Sequence, residues 1–266
     1  MKIILKKIIL IFGKYLGYDI SIHKKSSNIE YIFVDKNSWR PFLDSDKNYL
    51  QNLYKESLEK SDSIYSDSFE KQLRFYSLFN IVENILKNKN YKNFVECGCW
   101  KGHSTLGIAK LMEKYSFNKN FYVFDSFEGG LSEKNEKDKN LNRYIQTKKD
   151  ITHQKQYFES DYDKVLQLFH KYSFVEIYKG WIPDVFKDLE KNIKISFLHL
   201  DVDLYQPTYD SLDFFYDMVE VGGIIICDDY NSSDFPGAKI AIDEFMKNKS
   251  INLFYEVPLG ACIIIK

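Results

Sequence analysis

Two apolar runs in this chain each end in a pair of carboxylates, Leu200-Asp201-Val202-Asp203 and Cys227-Asp228-Asp229-Tyr230. If both runs are strands of one sheet, four acids meet at one edge. There they would repel one another and raise each other's pKa unless a positive charge lies between them. A hard divalent cation, Mg²⁺ or Ca²⁺, answers that need, because it prefers carboxylate oxygens and keeps positions open for water or substrate. The plainer alternative makes three of these acids loop caps or lysine partners. His199, one step before the first pair in an alternating strand, reads as a core histidine rather than a ligand.

A second chemical feature lies upstream. The run Asn93-Phe94-Val95-Glu96 leads into Cys97-Gly98-Cys99-Trp100-Lys101-Gly102-His103-Ser104-Thr105, and a good amphipathic segment, LGIAKLMEKY, follows. Glycines at a strand-to-helix turn let a ligand approach the backbone, and the helix start offers unbonded N–H groups to an anionic or polar group. The spacing E-x-G-x-x-x-G lacks the third glycine of a dinucleotide fingerprint, so a pyrophosphate is not the expected guest. The next apolar run ends at Asp125, where a carboxylate is placed to accept hydrogen bonds from ribose hydroxyls. Glycine turn and acid together point to an adenosine-containing cofactor; the alternative is a tight turn in an unrelated α/β protein.

These residues need a sheet to position them. From Asn93 onward, short apolar runs alternate with longer amphipathic or polar segments: 93–96, 121–124, 174–178, 196–200 and 223–227. That rhythm predicts βαβ units and a parallel sheet covered on both faces. The closing runs 252–257 and 261–266 are separated by Pro258-Leu259-Gly260, too short for a parallel crossover, so an antiparallel hairpin is expected. Between Asp35 and Asn90 the pattern is helical. Phe69, Leu73, Tyr76, Phe79, Val82, Ile85 and Leu86 recur at three-to-four-residue spacing, and Ser66, Asp67 or Ser68 can cap the start. The expected organisation is an N-terminal helical extension over 1–90 and one α/β domain over 91–266. The lysine-, asparagine- and acid-rich segment from Gly129 to about Gln156 reads as a long loop, a lid or an excursion.

Composition removes several classes. With 266 residues, 44% hydrophobic and 28% charged, the chain is neither disordered nor a polytopic membrane protein. A net charge of -1 leaves no basic excess for tracking nucleic-acid phosphates. The 17% aromatic share would suit a carbohydrate or nucleobase surface, but codon bias in an AT-rich genome gives the same composition. Cys97, Cys99, Cys227 and Cys262 lie in or beside apolar runs and lack zinc or redox spacing, which points to reduced thiols and a cytoplasmic location. The basic segment Met1 to Tyr18 has too short an apolar stretch for a signal peptide, and its lysines forbid a bilayer span. Two readings remain: an amphipathic helix docking on the domain or on a second subunit, and a weak peripheral membrane contact.

FVECGCWKGHST, FYVFDSFEGG, YKGWIPD, LHLDVDLYQPTYDSL and VGGIIICDDYNSSDFPGAKIAIDEF together resemble the macrocin O-methyltransferase (TylF-like) family, over roughly Ser66 to the C-terminus. The resemblance implies a Rossmann-like class I methyltransferase fold, with a mostly parallel seven-stranded sheet, and S-adenosylmethionine as cofactor. It further implies a divalent metal, Mg²⁺ or another, and a sugar hydroxyl as acceptor, in a surface polysaccharide or an activated-sugar precursor. Carried over residue by residue, Glu96, Gly98 and Gly102 shape the methionine end of the cofactor pocket and Ser104 adds a hydrogen bond there. Asp125 holds the ribose diol with Ser126 beside it, Trp181 in the Gly180-Trp181 turn is an adenine-side candidate, and Asp201 faces the cofactor. Asp203, Asp228 and Asp229 match the metal-binding acids, and Asp203 also matches the general base. The family's loop histidine does not align cleanly; His153 is the histidine available for it.

The resulting expectation is methyl transfer to an oxygen that Asp203 deprotonates while it is held in line with the methyl–sulfur bond. The acceptor is a sugar or another hydroxylated or phosphorylated small molecule. A nicotinamide-dependent oxidoreductase is the rival reading, disfavoured by the missing third glycine and by the acids it leaves unexplained. A non-catalytic module that kept the fold is disfavoured by the complete acid set.

Overall fold

The computed structural model describes Leu16 and residues 48–139, 157–190, 192–232, 235–257 and 260–266. The chain divides into two compact units, Met1–Gln51 and Asn52–Lys266. The second unit carries the sheet, and the helical residues 52–87 go with it. The basic segment 1–18, apart from Leu16, lies outside the described residues, as do residues 140–156 with His153.

Seven strands form one sheet in the order β3-β2-β1-β4-β5-β7-β6. They are β1 Asn93–Cys97, β2 Phe121–Asp125, β3 Val175–Lys179, β4 Ile195–Leu200, β5 Val219–Cys227, β6 Leu253–Glu256 and β7 Cys262–Ile265. Strands β1 to β5 pair in parallel, as the alternating runs predict. The closing hairpin is antiparallel, and β7 rather than β6 pairs with β5. Strand β5 starts four residues before the GIIIC run. Ile195 pairs with Val219 and Phe197 with Ile224, so β5 carries a bulge around Gly222, whose φ is +82°. In sequence the two glycines there look like a turn, which hides the first part of the strand.

Among the described residues the α-helices are α1 Asn48–Lys60, α2 Phe69–Lys87, α3 His103–Lys114, α4 Tyr162–Phe169, α5 Tyr205–Phe215 and α6 Pro236–Met246. Ser68 caps α2, its hydroxyl accepting from the Lys71 N–H at 3.1 Å. The buried face of α2 is Leu73, Phe75, Leu78, Phe79, Val82 and Leu86; each such side chain contributes about 2 kcal/mol on leaving water. Phe69, Tyr76 and Ile85, expected on that face, are part-buried, because the stripe is rotated toward Phe75 and Leu78. Helix α3 comes close to Phe79, since a Cβ at Gly107 would stand 2.3 Å from that ring.

The segment read as a loop from Gly129 onward is anchored where it is described. Glu136–Asp138 forms a 3-10 turn with a capping box on Asn135, and Asp138 is buried. The Asp138 carboxylate accepts the Tyr205 N–H at 2.7 Å, supplying the start of α5, where the N-cap Leu204 makes no side-chain bond. β1 is flanked by β2 on one side and β4 on the other, so the strand order reverses between β1 and β4. In open α/β sheets that reversal opens a crevice at the carboxyl ends of the strands.

Candidate active site

A cavity of about 730 Å³ opens at that crevice. Its floor is the turn after β1. Gly98 there has φ +85°, and a Cβ on it would stand 1.9 Å from the Asp201 carbonyl oxygen. The ends of β1 and β4 touch at this point, with the Asp201 N–H donating to the Cys97 carbonyl at 2.9 Å, and no side chain fits between them. Gly102, the N-cap of α3 at φ +82°, faces Phe169 and does not line the cavity. Ser104, in the first turn of α3, does.

Asp125 ends β2 and binds the turn itself. One of its oxygens accepts the Cys99 and Trp100 N–H groups at 2.9 and 2.8 Å, and the other accepts the Phe127 N–H at 2.9 Å. Burial pushes this carboxyl up, and the three N–H donors draw it back down. Asp125 therefore shapes the glycine turn as well as lining the cavity. Ser126 and Trp181 line the same wall, and the Trp181 indole N–H donates to Glu128 at 2.8 Å.

Glu96 is turned away from the cavity. It is fully buried between β1 and β4, where it accepts from the Thr105 hydroxyl and bonds His199 Nδ1 at 2.9 Å. Burial pulls the His199 imidazole down, and the Glu96 hydrogen bond and charge more than offset it, so its pKa is raised. His199 is a core residue, as its place in the strand predicts.

The two acid pairs do converge. Asp201, Asp203, Asp228 and Asp229 all line the cavity. Asp203 has φ +61°, with the Leu204 N–H donating to the Val202 carbonyl at 2.6 Å across it, a tight three-residue turn. Trp100 and Phe127 also have positive φ, so three strained non-glycine residues gather around the acids and the turn. The Asp203 N–H donates to Asp229 at 3.0 Å. Withdrawal from water raises Asp201 to about 7, with repulsion from Asp228 adding to it. Asp203 and Asp229 are raised well above the usual carboxylate range, by burial first and by the neighbouring acids second.

Two cations that sequence reasoning passed over come from α2. Arg74 Nε bonds Asp228 at 2.7 Å, and the charge of Asp228 is the main reason its guanidinium is raised further. The Arg74 charge also lowers Asp201, Asp203 and Asp229, with His199 acting more strongly on Asp201 and Lys134 on Asp203. Lys71 also lines the cavity, its Nζ donating to Ser66 Oγ at 2.7 Å. Both sit on a helix read in sequence for its apolar face alone; their three-residue spacing, which puts them on one side, was the available signal. Among the described residues, no group of three His, Cys, Asp or Glu side chains is arranged to hold a metal ion. Beyond the acids the wall is aromatic: Tyr157 stacks on Trp100 at 5.8 Å, and Phe158 and Phe235 adjoin.

Comparison with known proteins agrees with this geometry. The family model for macrocin-O-methyltransferase (TylF) matches residues 4–256. Demethyldecarbamoylnovobiocin O-methyltransferase of Streptomyces niveus is 27% identical over 177 residues, 65% of this chain and 64% of the relative. A tetracenomycin rhamnosyl 4'-O-methyltransferase of Streptomyces olivaceus is 25% identical over 161 residues, 59% of this chain and 60% of the relative. The matched region thus spans less than two thirds of either relative's own length. Among solved structures, the O-methyltransferase NovP superposes with a TM-score of 0.60 at 21% identity, covering 84% of this chain and 99% of that one. The calicheamicin methyltransferase CalS11 superposes with a TM-score of 0.54 at 16% identity, covering 84% and 93%. At such identities the structures establish the shared fold, the seven-stranded class I methyltransferase sheet. The family match runs over most of the chain and takes in the glycine turn and both acid pairs, and on that ground this protein belongs to the macrocin O-methyltransferase family.

Proposed function

We propose that this protein is an S-adenosylmethionine-dependent O-methyltransferase whose acceptor is a sugar hydroxyl, in a surface polysaccharide or an activated-sugar precursor. The observation that carries the reading is the joining of a glycine-floored turn to four converging carboxylates in one cavity at the strand-order reversal. The relatives support it, since one acts on a novobiocin precursor and the other on a rhamnosyl group. The four cysteines are free and buried, in keeping with a reducing cytoplasm. No described helix is long and apolar enough to cross a membrane.

The cofactor supplies an electrophilic methyl group on a sulfonium, so the protein's task is to present a deprotonated oxygen in line with it. The Gly98 turn admits the cofactor against the backbone, and Asp125, Ser126 and Trp181 lie along the wall for its nucleoside. Asp203, at the tip of its strained turn, accepts the proton of the acceptor hydroxyl. The aromatic wall of Trp100, Tyr157 and Phe158 excludes water and offers apolar faces to a sugar ring.

The reading includes a divalent cation held by Asp203, Asp228 and Asp229. The donor chemistry supports one, though the three are not drawn together as a ligand set: every donor is a hard carboxylate oxygen, and neighbouring acids raise Asp203 and Asp229 in the direction a dication would reverse. Such an ion lowers the pKa of a hydroxyl that it binds. For it to take Asp228, Arg74 must yield.

The test is methyl transfer from labelled S-adenosylmethionine to a panel of nucleotide sugars, glycosides and phosphorylated sugars, with Mg²⁺ and with a chelator. Transfer that survives chelation removes the metal from the reading. Calorimetric binding of NADH but not of S-adenosylmethionine would replace the enzyme class.

A further inference from the structure

Lys71 lies in the field of Asp201, Asp228 and Asp67, yet among the described residues it makes no direct ion pair with any of them. Its Nζ bonds a serine hydroxyl, Ser66 Oγ, and lies 5.8 Å from the Trp100 ring and 5.4 Å from the Phe75 ring. Two neighbouring cations are directly paired: Arg74 with Asp228 at 2.7 Å, and Lys101 with Asp62 at 3.7 Å. Burial pulls the Lys71 ammonium down to about 8, and the charges of Asp201, Asp228 and Asp67 offset that only in part. Its surroundings place it at the glycine turn rather than at the far aromatic wall. Trp100 is two residues beyond Gly98, and the charge of Lys71 acts on His103, the first residue of α3.

That end of α3 lacks an anion as well. Its N-cap is Gly102, which has no side chain to cap the helix, and Ser104 in the first turn lines the cavity. Uncapped N–H groups, a serine hydroxyl and an ammonium bonded to a hydroxyl rather than a carboxylate thus stand around one corner of the cavity, on the side of the glycine turn. We propose that Lys71 binds the carboxylate of the cofactor's methionine moiety, with Ser104 and the N-terminus of α3 as its other partners. The inference rests on the S-adenosylmethionine reading above and adds a binding residue supplied from outside the β1–α3 unit. The carboxylate is the cofactor's one anionic group, and the corner holds the positive charge that matches it.

The test is calorimetric binding of two ligands to the full chain. S-adenosylhomocysteine carries the carboxylate, and 5'-methylthioadenosine lacks the amino-acid end. Lys71→Met is expected to weaken S-adenosylhomocysteine about ten- to a hundredfold while leaving 5'-methylthioadenosine within about twofold, because one charge-assisted bond is lost and the nucleoside contacts remain. Lys71→Arg is expected to retain most of the affinity. Independently of any variant, the methyl ester of S-adenosylhomocysteine should bind wild-type protein more weakly by a similar factor, with no further loss in Lys71→Met. Equal weakening of both ligands, or of neither, overturns the assignment. So does unchanged S-adenosylhomocysteine affinity with a raised KM for the acceptor, which would place Lys71 on the acceptor's anion. If wild-type protein binds neither adenosine ligand, the proposed function itself fails, and the inference with it.

Discussion

Replacing Arg74 with leucine removes the cation bonded to Asp228, and the cost follows from the geometry. The guanidinium and Asp228 are 2.7 Å apart, with side-chain exposures of 25% and 8%. Removing one partner of a buried pair costs about 3–5 kcal/mol, because the other charge is left without compensation. Arg74 is a quarter exposed, and solvent screening discounts that figure to about 2–3 kcal/mol. For a domain of this size that corresponds to a fall in Tm of roughly 4–12 °C. The assay is a urea or thermal melt at neutral pH, run as a double-mutant cycle with Asp228→Asn. In the Asp228→Asn background Arg74→Leu should cost under about 1 kcal/mol, leaving a coupling near 2 kcal/mol. Millimolar Mg²⁺ should restore stability to Arg74→Leu more than to wild type if a dication takes the vacated carboxylate. A loss below about 0.5 kcal/mol in the single variant, or the same loss in both backgrounds, refutes the idea that this pair holds the cluster together.

Gly98→Ala puts a methyl group 1.9 Å from the Asp201 carbonyl oxygen at φ +85°, so a loss of about 2–5 kcal/mol is expected; an unchanged melting curve would show that the strand ends can separate freely. Asp125→Asn leaves one acceptor oxygen where two now serve three backbone N–H groups. Roughly 2–3 kcal/mol of local order should go with it, read as weaker adenosine-ligand binding and faster hydrogen exchange at Cys99 and Trp100. His103 is held neutral, lowered to about 2 mainly by burial, whereas the unfolded chain protonates it near its ordinary 6.5. Its contribution is therefore present above pH 6.5 and is lost as pH falls below that, at up to about 1.4 kcal/mol per pH unit. The variant His103→Phe should flatten the fall in stability between pH 6.5 and 5 by about one proton, and an unaltered slope would mean that the imidazole is not kept neutral. Asp203→Asn should abolish methyl transfer with S-adenosylhomocysteine affinity retained; turnover near the wild-type rate would move the base elsewhere.

Much of the fold was legible because parallel strands buried on both faces are written as short apolar runs. The run ending in Glu96-Cys97 and the runs ending in the two acid pairs became β1, β4 and β5 with ends displaced by a few residues. What escaped was what depends on local geometry. The bulge at Gly222 hid the start of β5, and Asp138 looked like one more charge in a polar loop although it caps α5 from 67 positions away. Within the site, the convergence of Asp201, Asp203, Asp228 and Asp229 followed from their places at strand ends. The inward turn of Glu96 did not, because alternation along a strand gives two faces without saying which partner waits on either.

The sequence by itself determined the sheet, its antiparallel closing hairpin, the glycine turn and the fact that acids gather at one edge. Those features are encoded in residue type and period along the chain, which each segment carries alone. Only the tertiary structure decided how that charge is balanced. Arg74 and Lys71 lie more than a hundred positions before the acids they approach, on a helix face indistinguishable in sequence from one facing solvent. Whether a lysine is hydrated or buried near acids depends on what packs over it, and that is a property of the assembled layers.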